Sequence, residues 1–342
     1  MRRFRVEAHG KIFSTLLRTF LIFLFVFLGF EILGILWGYL ISLVVSLVLF
    51  ILKWGLPKIR NQQGFSPKII RKFAAHAALS AIGLMFLRNI DVLLVKSLIQ
   101  DNIQVGFYAA ASTLASVPYL LFSSLGVVLL PSISRSIAQN NLPLTKKYLS
   151  QSVRFLSLSF TPIAAITAAT ASGVVSFVYS SAYAEAGLAL SLLIFSSLFL
   201  VIFMALLTVI SGSNKPLLSM LFALFGAAIL MIGARIFIPL YGLAGAAYAS
   251  IIASMVSLLM AGMYVHSKFG GFVSLLSLGR IILSSAIVGL AAYFWQPIGF
   301  MILVSYALLL LFYGLLLYLF GELQQEDILL SKDILKKFLR RA

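Results

Sequence analysis

Apolar side chains in this chain fall in long unbroken runs, not in the stripe of every third or fourth residue that marks a helix half exposed to water. The stretch from Thr19 to Leu52 holds one charged residue, Glu31, and is about twice the roughly 20 residues that one helix needs to cross a bilayer. It reads as a tight helical hairpin turning near Gly29, Glu31 and Gly34, where glycine and charge interrupt the run. Cutting the rest at polar and Gly/Pro punctuation predicts ten helices: 12–30, 33–52, 73–97, 107–130, 152–178, 187–211, 217–238, 242–264, 279–296 and 299–320. An even number of crossings returns both termini to one side.

Composition agrees with that pattern. Hydrophobic residues make up 62% of the 342 and charged residues 10%, against about 45–50% apolar and about 25% charged in soluble domains. A soluble globule is excluded, and the expected class is an all-α polytopic membrane protein of about 10 transmembrane helices. The opening MRRFRVEAHGK has the basic character of a signal peptide, but the apolar stretch behind it far exceeds an h-region of about 7–15 residues.

The formal charge of +17 would suggest nucleic acid in a soluble protein. Here its placement decides otherwise. With ten crossings, 23 of the 26 basic residues fall on one side: the N-terminal segment, the loop from Lys53 to Lys72, the loop with Arg135, Lys146, Lys147 and Arg154, then Lys215, Lys268, Arg280 and the C-terminal tail. The opposite loops carry Glu31, Asp101 and Glu185. Cytoplasmic loops collect Lys and Arg, so both termini are expected in the cytoplasm of a multi-pass protein of the cytoplasmic membrane, and no nucleic-acid partner is implied. Most of these basic residues set topology, with anionic lipid headgroups as a sharper alternative for the 53–72 loop and the tail.

The three basic residues left over from that side are Arg88, Lys96 and Arg235, and the one acidic residue well inside a predicted span is Asp91. A charge at the bilayer centre costs at least about 2.5–3.5 kcal/mol on insertion scales, so such residues usually face a bundle interior or a wet cavity. Arg88 and Asp91 are three apart and share a helical face. Two readings stay open: they neutralise each other and lock the helix against a neighbour, or they form a polar spot in a central cavity with Arg88 available to an anion. Lys96 and Arg235 lie nearer the outer interface, where snorkelling competes with a cavity role. Pro118 and Pro162 fall within spans and are expected to kink them. Gly34 and Gly38 have the small-xxx-small spacing of close helix packing.

The sequence offers little to an enzyme. His9, His76 and His266 are scattered and there is no Cys, so neither a metal site nor a Ser-His-Asp set is expected. No cofactor is implied.

From Leu87 to Arg135 the chain reads LRNIDVLLVKSLIQDNIQVGFYAAASTLASVPYLLFSSLGVVLLPSISR. This resembles the start of the C-terminal lobe in Wzx-like polysaccharide and oligosaccharide flippases of the multidrug/oligosaccharidyl-lipid/polysaccharide exporter superfamily. The matching elements are Arg88 and Asp91, then Val105-Gly106-Phe107-Tyr108-Ala109-Ala110, then Leu130-Pro131-Ser132. Ser211-Gly212-Ser213-Asn214-Lys215-Pro216 is similar to a cytoplasmic turn of the family, and Tyr241-Gly242-Leu243-Ala244-Gly245-Ala246-Ala247 to the opening of its twelfth helix.

The resemblance implies a MATE-like bundle with a complete C-terminal lobe and a truncated N-terminal lobe, lacking the family's first four helices. On that pattern residues 1–52 are the N-terminal remnant, 53–72 a basic cytoplasmic linker, 73–264 the six-helix C-terminal lobe, 265–320 two additional helices and 321–342 a charged cytoplasmic tail. It also implies alternating access that moves a lipid-linked oligosaccharide across the membrane, in contact with membrane lipids, with Arg88 as the best-placed cation and Lys96 and Arg235 extending the path. The shortened lobe calls for a second subunit to complete it, or for a start codon upstream of Met1. Competing readings are a cation-coupled small-molecule exporter on the same fold, a non-transporting remnant or assembly scaffold, and a membrane glycosyltransferase. The last would want a sizeable outer loop, and the predicted ones are short.

Overall fold

The computed structural model describes residues 2–54, 67–123, 133–137, 139, 141–270 and 273–322. Most of the predicted 53–72 linker, the Leu130-Pro131-Ser132 motif and the tail beyond residue 322 lie outside the described residues. The chain divides into two compact units, residues 1–65 and 66–342.

The first unit is a helical hairpin of α1 (Arg2–Phe27) and α2 (Glu31–Trp54). Gly29 turns it at φ 86°, a left-handed conformation that glycine adopts without steric cost. A Cβ on Gly34 would stand 3.0 Å from the Phe25 backbone, and one on Gly38 2.9–3.1 Å from Ile22. These two glycines let the helices approach closely, which is what their spacing predicts. Arg18 lies 4.9 Å from the Tyr39 ring centroid within the same hairpin.

The second unit contains α3 (Pro67–Leu98), α4 (Asn102–Ser123), α5 (Leu142–Ala169), α6 (Ala171–Val178), a 3-10 turn (Ser181–Ala186), α7 (Gly187–Gly212), α8 (Pro216–Phe269), α9 (Leu275–Trp295) and α10 (Met301–Leu319). Local chemistry sets the ends. The Asn141 side chain accepts from the Leu144 N–H to cap α5, Pro216 opens α8, Ser274 caps α9, and Gly270 ends α8 at φ 63°.

The 54 residues of α8 are not one rod. Gly242 breaks the helical dihedrals at φ 57°, ψ −132°, and a Cβ on Gly226 would meet Ser257, on Gly233 Ala249, and on Gly245 the Phe237 carbonyl. These pairs are symmetric about residue 241, so the chain folds back into two antiparallel arms, 216–241 and 243–269. The predicted cut between 238 and 242 falls at this reversal.

Lipid is as apolar as leucine, so large side chains gain little by leaving it, and close backbone approach holds the bundle together instead. The exposure pattern follows: Ala223, Gly226, Ala246, Ala247, Ala253 and Ala261 are buried along α8, while Ile232, Ile236, Leu240 and Leu259 are exposed. The main core joins α3, α4, α5, α7 and α8 around Tyr108, Phe160, Leu190, Phe203 and Leu206. A second cluster, with Ile166, Ile281, Val288, Leu309 and Tyr313, seats α9 and α10 on α5.

The protein is all-α and multi-pass. Among the described residues seven helices are long and apolar enough to cross a membrane, against the ten expected. Three features account for the difference. The folded-back α8 counts once, the apolar part of α1 is the shorter Ile12–Phe27, and the predicted span 107–130 runs past the end of α4 at Ser123 into residues outside the described ones. Pro118 and Pro162 both lie inside helices. Proline removes the bond to the carbonyl four residues earlier; for Pro162 that carbonyl is Leu158, and the Tyr313 hydroxyl of α10 donates to it at 3.0 Å.

Candidate functional site

A polar cavity of about 310 Å³ lies between α3, α4, α7 and the second arm of α8. Its walls carry Arg88 and Asp91 from α3, Ser112 and Ser116 from α4, Ser197 from α7 and Ser250 from α8. Ser112, Thr113 and Ser116 follow the 3-4 spacing that brings residues to one helix face. The cavity volume lies at the lower end of the range for small-molecule ligand sites, about 300–1,000 Å³.

Asp91 is 3% exposed, and three donors meet its carboxylate. The Tyr108 hydroxyl donates to Oδ2 at 2.8 Å, the Ser250 hydroxyl to the same oxygen at 3.3 Å, and the Val92 N–H to Oδ1 at 2.9 Å. Each donor comes from a different place: α4, the second arm of α8, and α3 itself. A bare carboxylate in this position would cost several kcal/mol, and donor bonds offset part of that cost.

Arg88 does not form an ion pair with Asp91; among the described residues the ion pairs join Glu322 to Arg154 and Arg280. The half-buried Arg88 guanidinium lies instead over the ring of Tyr119, 4.8 Å from its centroid, and the Tyr119 hydroxyl reaches Met204 Sδ at 3.1 Å. Arg88 is thus part of the cavity wall, with its guanidinium against an aromatic ring that is not itself among the lining residues. Mutual neutralisation, one of the two readings of the Arg88/Asp91 spacing, is not what the side chains do.

Lys96 and Arg235 are not brought to the cavity. Both are exposed, neither lines its wall, and Lys96 donates to Asn102 across the loop from α3 to α4. Sequence reasoning passed over Tyr119 and the serines of α4 and α7, although the serine spacing along α4 is itself legible. Tyr108 stood only as a motif letter, with no role assigned.

A larger cavity of about 580 Å³ between α5, α7, α8 and α9 is apolar, with Val153, Phe195, Phe199, Leu259, Met263 and Ile282 in its walls. It holds none of the predicted site residues. No group of three or more His, Cys, Asp or Glu suited to a metal ion occurs among the described residues.

Residues 2–188 match the family model described as polysaccharide biosynthesis protein. No curated protein matches the chain. Among solved structures, the lipid II flippase MurJ in an inward closed conformation aligns with TM-score 0.69 and 18% identity, covering 90% of this chain and 66% of that one. A MOP-superfamily transporter from Pyrococcus furiosus, described for the reverse polarity of its binding pocket, aligns at TM-score 0.52 and 19% identity, over 66% of this chain and 53% of that one. An outward-facing multidrug resistance MATE family transporter of the same superfamily gives 0.52 and 18%, with the same coverage. The chain therefore spans just under two thirds of the first of these structures and about half of the other two, and its fold is that of MOP-superfamily transporters.

Proposed function

Because the chain belongs to the polysaccharide biosynthesis protein family, whose model it matches over more than half its length, we propose that it translocates a lipid-linked oligosaccharide across the cytoplasmic membrane by alternating access. The polyprenyl tail stays in lipid, while the anionic linkage and the first sugar pass through the polar cavity. The observation that carries this reading is Arg88, a cation in a hydroxyl-lined cavity with no carboxylate bound to it. An unmatched cation inside a membrane is costly, and an anionic group on the substrate would offset that cost during passage. The cavity serines would meet sugar and phosphate oxygens.

The same reading takes the chain as ten crossings with both termini in the cytoplasm, supported by the fold-back of α8 and the one-sided distribution of basic loops. Arg88 and Asp91 are its site residues, and Lys96 and Arg235 are left to the interface, where long basic side chains snorkel.

The test is reconstitution into proteoliposomes with a fluorescent polyprenyl-diphosphate oligosaccharide, reading the fraction reached by a membrane-impermeant quencher. Arg88→Ala should lower the rate by about tenfold or more, the worth of one charge-assisted contact, with insertion unchanged. Wild-type rates in that variant would remove the cavity role of Arg88.

A second reading is a cation-coupled small-molecule exporter. Asp91 favours it, because its carboxylate lies at the cavity without an arginine partner. Ion-driven drug efflux abolished by Asp91→Asn, in a protein that moves no lipid-linked saccharide, would put this reading first.

A further inference from the structure

Arg88 and Asp91 sit where they ought to pair. Residues three apart on a helix are neighbours, and the attraction between opposite charges grows as water is excluded. Two features of α4 oppose it. Tyr108 occupies the Asp91 carboxylate, and Tyr119 offers a ring face to Arg88. The two tyrosines are 11 residues apart, three helical turns within about 20°, and so share one face of α4.

The register sets the direction of the pull. Taking α3 and α4 as antiparallel across their short loop, with Asp91 opposite Tyr108, position 88 lies opposite 111. Tyr119 is eight residues further on, about 12 Å along the axis. The Arg88 side chain must extend along α4, away from Asp91, to reach that ring.

We propose that Tyr119 is a positioning residue that keeps Arg88 off Asp91 and so holds its guanidinium in the cavity for the anionic group of the substrate. This rests on the transport reading above. The contact is within the roughly 6 Å at which an aromatic face attracts a guanidinium, and partial burial strengthens it. The ring matters, not the hydroxyl, whose partner is the weak acceptor Met204 Sδ. Without the ring, Arg88 falls back onto Asp91, and the cavity presents a neutral pair in place of a cation.

The experiment uses the full chain in detergent, with farnesyl diphosphate as the anionic probe and farnesol as its uncharged counterpart, affinities being read by calorimetry. Tyr119→Phe keeps the ring and should bind farnesyl diphosphate within about threefold of wild type, whereas Tyr119→Leu should weaken it by about tenfold and leave farnesol unchanged. Adding Asp91→Asn to Tyr119→Leu removes the competing carboxylate and should restore most of the loss. A merely structural role for Tyr119 would not give that rescue. Tyr119→Met serves in place of the leucine variant if the latter fails to insert.

Wild-type affinity in Tyr119→Leu, equal losses in the Phe and Leu variants, or no rescue by Asp91→Asn would each overturn the positioning role. Arg88→Gln separates this from the reading beneath it. If that variant loses its preference for the diphosphate while Tyr119→Leu does not, the anion site stands and only the role of Tyr119 falls. If Arg88→Gln keeps the preference, the anion-site reading falls too.

Discussion

Among the described residues the second unit buries two carboxylates, and they are held in opposite ways. Glu322, 5% exposed at the end of α10, accepts from Arg154 Nε at 2.9 Å, lies 3.8 Å from Arg280 and takes a bond from the Ser277 hydroxyl. Asp91, 3% exposed in α3, is met by hydroxyls and a backbone N–H, while the arginine one turn away lies on a tyrosine ring. The first arrangement cancels charge and ties together α5, α9 and α10. The second keeps a cation and a carboxylate separate beside one cavity. Removing a partner at Glu322 should therefore damage the fold, and removing one at Asp91 should damage it less.

The largest effect is expected at Glu322→Ala. It leaves Arg154, whose side chain is 14% exposed, without its carboxylate, and breaking such a buried pair from one side costs about 3–5 kcal/mol. Thermal unfolding in detergent should show a large fall in midpoint; a small one would mean that Glu322 is not the tie between α5, α9 and α10. Tyr108→Phe removes one donor of three from Asp91 and should cost about 1–3 kcal/mol in the same assay. A loss as large as that of Glu322→Ala would erase the contrast between the two sites. Arg280→Ala should be smallest, about 0–1 kcal/mol, because its side chain is 37% exposed and its contact is the long one. A larger loss would move the weight of the tie from Arg154 to Arg280.

Much of the fold was legible because lipid imposes a simple pattern. The runs 187–211, 279–296 and 299–320 are close to α7, α9 and α10, and the glycine of Tyr241-Gly242 marked the reversal inside α8. Helix starts were legible only where polarity changed. Predicted starts at 73, 107 and 152 became 67, 102 and 142, since a charged or polar turn such as that of Lys146 and Lys147 remains helical outside the apolar core. The single predicted span 152–178 is broken at Thr170, whose hydroxyl bonds to the Ile166 carbonyl and lies 3.2 Å from the Tyr306 hydroxyl of α10.

The site was legible in its members and not in their partners. Arg88 and Asp91 stood out because charge inside a span is rare, and the spacing of three between them suggested a pair. What separates them comes from Tyr108 and Tyr119 on another helix, and local spacing carries no information about that. Glu322 was read as the start of a charged tail. Its burial depends on Arg154, 168 residues earlier in the chain, a contact that only the folded arrangement of α5 and α10 creates.

The most direct test of the central claim, that the polar cavity receives the anionic end of a lipid-linked saccharide, is site-specific photocrosslinking in membranes that make the substrate. A photoreactive residue in place of Ser197 in the cavity wall should capture a polyprenyl-diphosphate saccharide, and the yield should fall at least about tenfold with Arg88→Ala. A control residue at Leu259, in the apolar cavity, should capture no saccharide headgroup. Capture at Ser197 that is indifferent to Arg88, or headgroup capture at Leu259 and none at Ser197, would contradict the account.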